Sequence, residues 1–185
     1  MATLQVTLAA YEPRSTAEQA DLERLRRMVT TAHDPWTRSS ALHATGSALV
    51  VHPPTRRVLL RWHERQQAWL QVGGHADPGE TDPFQVALRE AREETGLGDL
   101  EAWPRPARPG IVQVVIVPVP PGKGEPAHEH ADIRYALSTF VPEAAVAETS
   151  SAELAWLTFD EARARVSEDN LRECLARIDA LFNEA

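Results

Sequence analysis

Three carboxylates, Glu90, Glu93 and Glu94, fall within little more than one helical turn. Offsets of three and four put them on one face if the segment is helical. Like charges at that spacing cost about 0.2–0.5 kcal/mol per pair on an exposed helix. Acids near a helix C-terminus also oppose the macrodipole. Arg89 and Arg92 relieve part of the repulsion without dispersing the cluster. A divalent cation would relieve it better, and oxygen ligands with no cysteine nearby suit Mg²⁺ or Mn²⁺ better than Zn²⁺. The competing reading is a solvated acidic face, the ordinary meaning of a charge run.

The element that must hold these groups has legible ends. Asp82 can cap a helix, Pro83 suits its first position, and Gln85 can complete a capping-box-like pair with Asp82. Gly96 stands where a left-handed residue closes the last turn. Between them Phe84, Ala87, Leu88 and Ala91 can face a core.

Upstream, Gly73–Gly74 reads as a glycine turn, and Glu80 follows Gly74 at a spacing of five intervening residues. The whole stretch, GGHADPGETDPFQVALREAREETGL, resembles the Nudix box: Gly, five residues, Glu, seven residues, then Arg-Glu-aliphatic-x-Glu-Glu-x-Gly-aliphatic. The last part reads Arg89, Glu90, Ala91, Arg92, Glu93, Glu94, Thr95, Gly96, Leu97. Eight residues, not seven, separate Glu80 from Arg89, and Ala91 holds the aliphatic position. The extra residue falls in Thr81–Asp82–Pro83, so it should lengthen the loop without turning the carboxylate face.

The resemblance implies a fold, a chemistry and roles. The fold is α/β, a Nudix-type α/β/α sandwich around a mixed β-sheet, here with a helical N-terminal extension. Glu90, Glu93 and Glu94, with the backbone carbonyl of Gly74, would ligate Mg²⁺ or Mn²⁺. Arg89 would be a brace, paired to Glu80 or Glu93. The base would be Glu90 itself or a loop acid among Glu143, Glu148 and Glu153, with Glu148 favoured through the resemblance of ETSSAELAW to a family stretch. The reaction implied is attack of water on a phosphoanhydride in a nucleoside diphosphate linked to another moiety, X. The partner is thus a small nucleoside diphosphate derivative, and many members form homodimers.

HEHADIRY, His128 to Tyr135, resembles a segment of one Nudix subgroup that also has a GGH turn, here Gly73–His75, and a His-x-Thr-like strand start, here His43–Thr45. One hypothesis has His75, His128 and His130 lining a substrate pocket and touching substrate or a second metal, since His-x-His places both imidazoles on one side of a strand. The other has loop histidines that bond backbone. Asp132 and Arg134 also share a face, so for Arg134 an internal ion pair stands ahead of a phosphate clamp. Any of the five tryptophans could stack a base, though each is more often core.

Composition bounds the rest. The chain has 185 residues, 25% charged and 43% hydrophobic, the profile of a soluble globular domain with a sizeable core. A net charge of −8 argues against long nucleic acid, whose backbone needs a basic surface, but not against a metal-bound nucleotide. One cysteine, Cys174, excludes an intrachain disulfide and fits a reducing compartment. With no membrane-length apolar run and no signal-peptide pattern, the expectation is a cytoplasmic protein without a membrane partner. Two alternatives accompany the hydrolase. A non-catalytic Nudix-like nucleotide-binding module would usually lack box carboxylates, and none is missing. An isopentenyl diphosphate isomerase-like enzyme would need a cysteine, and Cys174 lies in the last predicted helix, far from the box.

Residues 1–38 read as a helical extension packed on the core, and 39–185 as the Nudix hydrolase domain. Leu4, Leu8 and Tyr11 recur at helical spacing, though Leu4, Val6 and Leu8 also alternate as a strand would; Ser15 with Glu18 forms a capping box ahead of a Leu22, Leu25, Met28, Val29 stripe. Strands are predicted at Gly46–His52, Val58–Trp62, Ala68–Val72, Ile111–Val117, Ile133–Val141 and Leu154–Leu157. Pro104–Gly110 and Pro118–Pro126 read as loops, the latter mobile. Thr158 with Glu161 caps one late helix, and Ser167 starts another carrying Leu171, Leu175, Ile178 and Phe182.

Overall fold

A computed structural model describes residues 4–122 and 124–183. The first three residues of the predicted extension and Lys123 of the predicted 118–126 loop lie outside it. In chain order the elements are α1 (Leu4–Ala9), α2 (Thr16–Thr31), β1 (Leu42–His52), β2 (Arg57–His63), β3 (Ala68–Leu70), β4 (Val72–His75), α3 (Pro83–Thr95), β5 (Glu101–Ala102), β6 (Gln113–Val119), β7 (His128–Ser138), β8 (Leu154–Thr158), α4 (Phe159–Arg165) and α5 (Asp169–Leu181). One mixed sheet joins all the strands. β1 and β7 pair in parallel at its centre, and β1 also pairs antiparallel with β2 and with β4.

Period-two alternation along β1 divides the core. Ala44, Ala48 and Val50 face a cluster with Leu22 and Leu25 of α2 and Val86, Ala87 and Ala91 of α3. Leu49 and Val51 face the other way, into a cluster with Ala162 of α4 and Leu171, Leu175 and Ile178 of α5. The result is the expected α/β/α sandwich, with α1 and α2 packed on the α3 side.

The box helix starts and stops where the residues indicate. The Asp82 carboxylate accepts from the Phe84 N–H, and Gly96 at φ 68° lets its N–H reach the Arg92 carbonyl. Among the described residues no bond from Gln85 completes a capping box. Phe84 and Leu88 are only partly buried, and Val86, which the periodicity did not select, is fully buried. The Thr158–Glu161 capping box is complete in both directions.

Several expectations are corrected. Gly73–Gly74 is not a turn: both glycines lie inside β4, and the predicted Ala68–Val72 strand breaks at Gln71 instead. β7 begins at His128, five positions ahead of the predicted Ile133, because HEHAD pairs with β1 on one side and β6 on the other. It ends at Ser138, and β6 runs on to Val119, so strand order claims the first two residues of the predicted 118–126 loop. α5 begins at Asp169 without a side-chain cap, two residues after Ser167. The short β5 was not foreseen. The Ser15 hydroxyl caps the Glu18 N–H, but the Glu18 carboxylate does not close the box: it is buried against Arg177 of α5.

Candidate active site

The box carboxylates are held by β4 and by arginines. α3 packs on the β1–β4 pair, and the two β4 glycines leave room for carboxylate against backbone. A Cβ on Gly74 would lie 2.7 Å from the Glu90 carboxyl carbon. The Gly73 N–H donates to Glu94 Oε2 at 3.0 Å, and Arg61 of β2 sits 3.2 Å from Glu94 Oε1. Burial pushes the Glu94 carboxyl up to about 7 against the pull of Arg61, and burial also raises Glu90 against Arg89.

Arg89 binds four groups at once. It donates to Glu80 through Nε (3.1 Å) and Nη2 (2.9 Å), to the His75 carbonyl (2.7 Å), to Glu90 (3.0 Å) and to Glu93 (2.9 Å). The longer loop thus still delivers Glu80 to Arg89. Burial raises Glu80, but the Arg89 guanidinium and the Asp77 N–H outweigh it and hold the carboxyl below its ordinary range. Glu93 is about half exposed, on the outer side of this brace. Glu148 reaches the same network, 3.9 Å from the Arg61 nitrogen Nη2, while Glu143 and Glu153 make no ion pair among the described residues.

The wall beside the box is a polar stripe set by register. His130 pairs with His43, and His75 pairs with Thr45, two positions along β1 from His43. Register partners and next-but-one neighbours share a sheet face. His43, His75, His128 and His130 therefore project together, as do Thr45, Ser47, Asp132 and Arg134. The rings meet: His43 Nε2 lies 3.0 Å from His75 Nε2, and His128 Nε2 lies 3.1 Å from His130 Nε2. Burial first, then neighbouring positive groups, pushes His75 down to about 3 and His130 to about 4.

Below them Asp132 accepts from Thr45 (3.1 Å), Ser47 (2.7 Å), Gln71 (3.2 Å) and Arg134 Nε (2.9 Å). Arg134 is 1% exposed and also bonds Gln113 and Asn170, so it forms floor beneath the site. A cleft of about 600 Å³ runs over this surface, lined among others by Glu94, Gly73, Gly74, His75, His128 and His130. His43, Thr45, Ser47 and Arg61 were not selected from the sequence as site residues. The available signal was His-x-Thr-x-Ser, polar residues at period two inside an otherwise apolar strand.

A family model for the NUDIX domain matches residues 42–178. The chain belongs to the NUDIX domain family. Solved structures similar to this NUDIX domain include a C. elegans Ap4A hydrolase binary complex (TM-score 0.60, 16% identity, 77% of this chain and 98% of that one). Another is the E. coli dihydroneopterin triphosphate pyrophosphohydrolase (0.55, 19%, 72% and 92%). A NUDIX family hydrolase from Clostridium perfringens is a third (0.54, 20%, 75% and 97%). No curated protein sequence matches the chain. Among the described residues no helix is long and apolar enough to cross a membrane. The single cysteine, Cys174, is wholly buried in α5 with its thiol pushed up to about 11 by burial, so this NUDIX domain brings no thiol to the cleft.

Proposed function

We propose that this NUDIX domain is a divalent-metal-dependent pyrophosphohydrolase that cleaves a phosphoanhydride bond in a nucleoside diphosphate linked to X. One observation carries the reading: Glu90 and Glu94 are both partly buried against the β4 glycines, Glu94 at the wall of the cleft, each with its carboxyl raised by burial. Partly buried carboxylates with raised proton affinity suit a hard cation, and the donor set is all oxygen. Glu90, Glu94 and the Gly74 carbonyl would hold Mg²⁺ or Mn²⁺, with Glu93 on the outer side. The ion would supply neutralisation of charge on the phosphate oxygens and a lowered water pKa.

The chain's own groups do the rest. Arg89, anchored by Glu80 and the His75 carbonyl, fixes Glu90 and Glu93 in position. Arg61 holds Glu94 and draws Glu148 towards the box, so Glu148 is the acid assigned to take the proton of the attacking water. Arg61 and Arg65 line the cleft and can meet phosphate oxygens. His75, His128 and His130 line it as well, whereas Arg134 acts through Asp132. Residues 1–38 serve as a brace on the domain of residues 39–185, through contacts such as Arg24 with Glu129 (2.6 Å).

The test is a hydrolysis screen of nucleoside diphosphate derivatives with Mg²⁺ and with Mn²⁺. Turnover is expected to need the metal. Glu90→Gln and Glu94→Gln should each reduce it by at least the ~10–100-fold that loss of an outer-shell partner costs. Tight nucleotide binding with no phosphate product under either metal would replace the enzyme by a binding module.

A further inference from the structure

The box carboxylates are not the tightest ligand-competent cluster in the molecule. Among the described residues, the one group of three His, Cys, Asp or Glu side chains whose donor atoms all lie within 4.8 Å of one another is His43, His128 and His130. Their placement is built rather than incidental. His43 and His130 are register partners on the central parallel pair, and His128 is two residues from His130 on the same face.

The hydrogen bonds define which nitrogen each ring offers. His43 Nδ1 lies 2.9 Å from the Ser40 carbonyl, and His128 Nδ1 lies 2.9 Å from the Pro126 carbonyl. A carbonyl only accepts, so both Nδ1 atoms carry the proton. A neutral imidazole has one N–H, which leaves Nε2 of both rings as a bare lone pair. Both lone pairs face other imidazole nitrogens at 3.0 and 3.1 Å, His75 Nε2 and His130 Nε2. Nitrogens around one tetrahedral ion, each at ~2.0–2.1 Å, stand about 3.3 Å apart. The Nδ1–H to carbonyl bond is the outer-shell contact that metal-bound histidines use to set tautomer and ring orientation.

We infer that His43, His128 and His130 form a second metal site, selective for a borderline transition ion such as Zn²⁺ and separate from the carboxylate site of the box. Imidazole donors favour Zn²⁺, Co²⁺ or Ni²⁺ over Mg²⁺, while the box oxygens favour the reverse. Three imidazoles leave a further position for His75, for water or for an anionic oxygen of the substrate, since His75, His128 and His130 line the cleft. His75 directly follows Gly74, so the two sites adjoin along β4. The inference rests on strand register and ring geometry, not on the hydrolase reading, and its test does not use turnover.

The full-length protein is stripped with chelator and titrated with Zn²⁺, and with Co²⁺ while the visible spectrum is recorded, both in a large excess of Mg²⁺. One equivalent of Zn²⁺ is expected, and the Co²⁺ form should show the intense visible absorption of a four-coordinate nitrogen site. The Glu90→Gln/Glu94→Gln protein should keep both signals. The His128→Ala/His130→Ala protein should bind Zn²⁺ more weakly by more than about 100-fold, beyond the loss from an outer-shell change. Absence of a Zn²⁺ equivalent in the parent overturns the site, and so does a weak six-coordinate Co²⁺ spectrum or a signal that follows the glutamates. The parent spectrum decides the matter even if the histidine variant fails to fold.

Discussion

Two glycines that look alike in the sequence meet different neighbours. On Gly46 of β1 a Cβ would stand 2.6 Å from the Pro83 carbonyl oxygen and 3.0 Å from the Ala87 nitrogen, both backbone of α3. On Gly74 its three nearest neighbours would all be atoms of the Glu90 carboxylate, at 2.7–2.8 Å. Gly46→Ala must therefore push a helix off a strand and should cost about 1–3 kcal/mol in urea denaturation, the range for overpacking. Gly74→Ala can be relieved by swinging the Glu90 carboxylate away. It should leave stability near that of the parent while weakening metal-dependent turnover by about 10–100-fold, as for other disturbances of ligand position. The opposite pattern would show that Glu90 is not held by that glycine. The box motif marked Gly74 from the sequence alone. Gly46 carried no signal, because its neighbour is a helix some forty residues away that only packing brings to it.

At the scale of elements, α2 is fastened to α5 and β6 by a buried ionic group. Glu18 and Arg177 are 4% and 7% exposed, and their two contacts are both 2.9 Å. Glu18 also takes the Tyr11 hydroxyl and the Val114 N–H. The sequence presented Glu18 as half of a local capping box, since its true partner lies 159 positions away. Glu18→Gln should destabilise the protein by about 3–5 kcal/mol at neutral pH, because it strands a buried guanidinium. Burial alone would raise this carboxyl, but Arg177 and the backbone donors hold it below the ordinary 4.5. Between the lowered value and 4.5 the unfolded chain binds more protons, so stability rises with pH through that window. The contribution is complete above pH 4.5 and is lost as pH falls through the folded value. Denaturation series at several pH values should find the gap between parent and Glu18→Gln closing below that point; a gap independent of pH would mean the carboxylate charge is not what matters.

For the whole molecule, pH acts through Glu94, and the proposed metal would act through it as well. Its folded carboxyl, near 7 against an ordinary 4.5, holds its proton where the unfolded chain has released it. That raised value contributes stability below pH 4.5, and the contribution is lost as pH rises through about 7. A divalent ion needs the ionised carboxylate, so binding restores what ionisation removes. Mg²⁺ at a hundred times its Kd adds about 2.7 kcal/mol to a protein it binds only when folded. The Tm gained with Mg²⁺ should be large above pH 7 and shrink as pH falls through it. An equal gain on both sides would take Glu94 out of the ligand set.

The sequence by itself determined the family resemblance, the box helix with both of its ends and the two layers of helices, and left Arg89 to pair with Glu80 or Glu93. These follow from residue type at short spacing, where capping, periodicity and loop length act locally. Only the tertiary structure decided that the β4 glycines are strand, that Glu18 is buried and that four histidines from β1, β4 and β7 share one wall. Those outcomes depend on strand register, and register is a relation between segments distant in sequence. A slip of one residue along β1 would send His43, Thr45 and Ser47 to the opposite face. The imidazole cluster thus exists because Leu42 pairs with Glu129 and no other residue, a choice made by packing both faces of the central sheet at once.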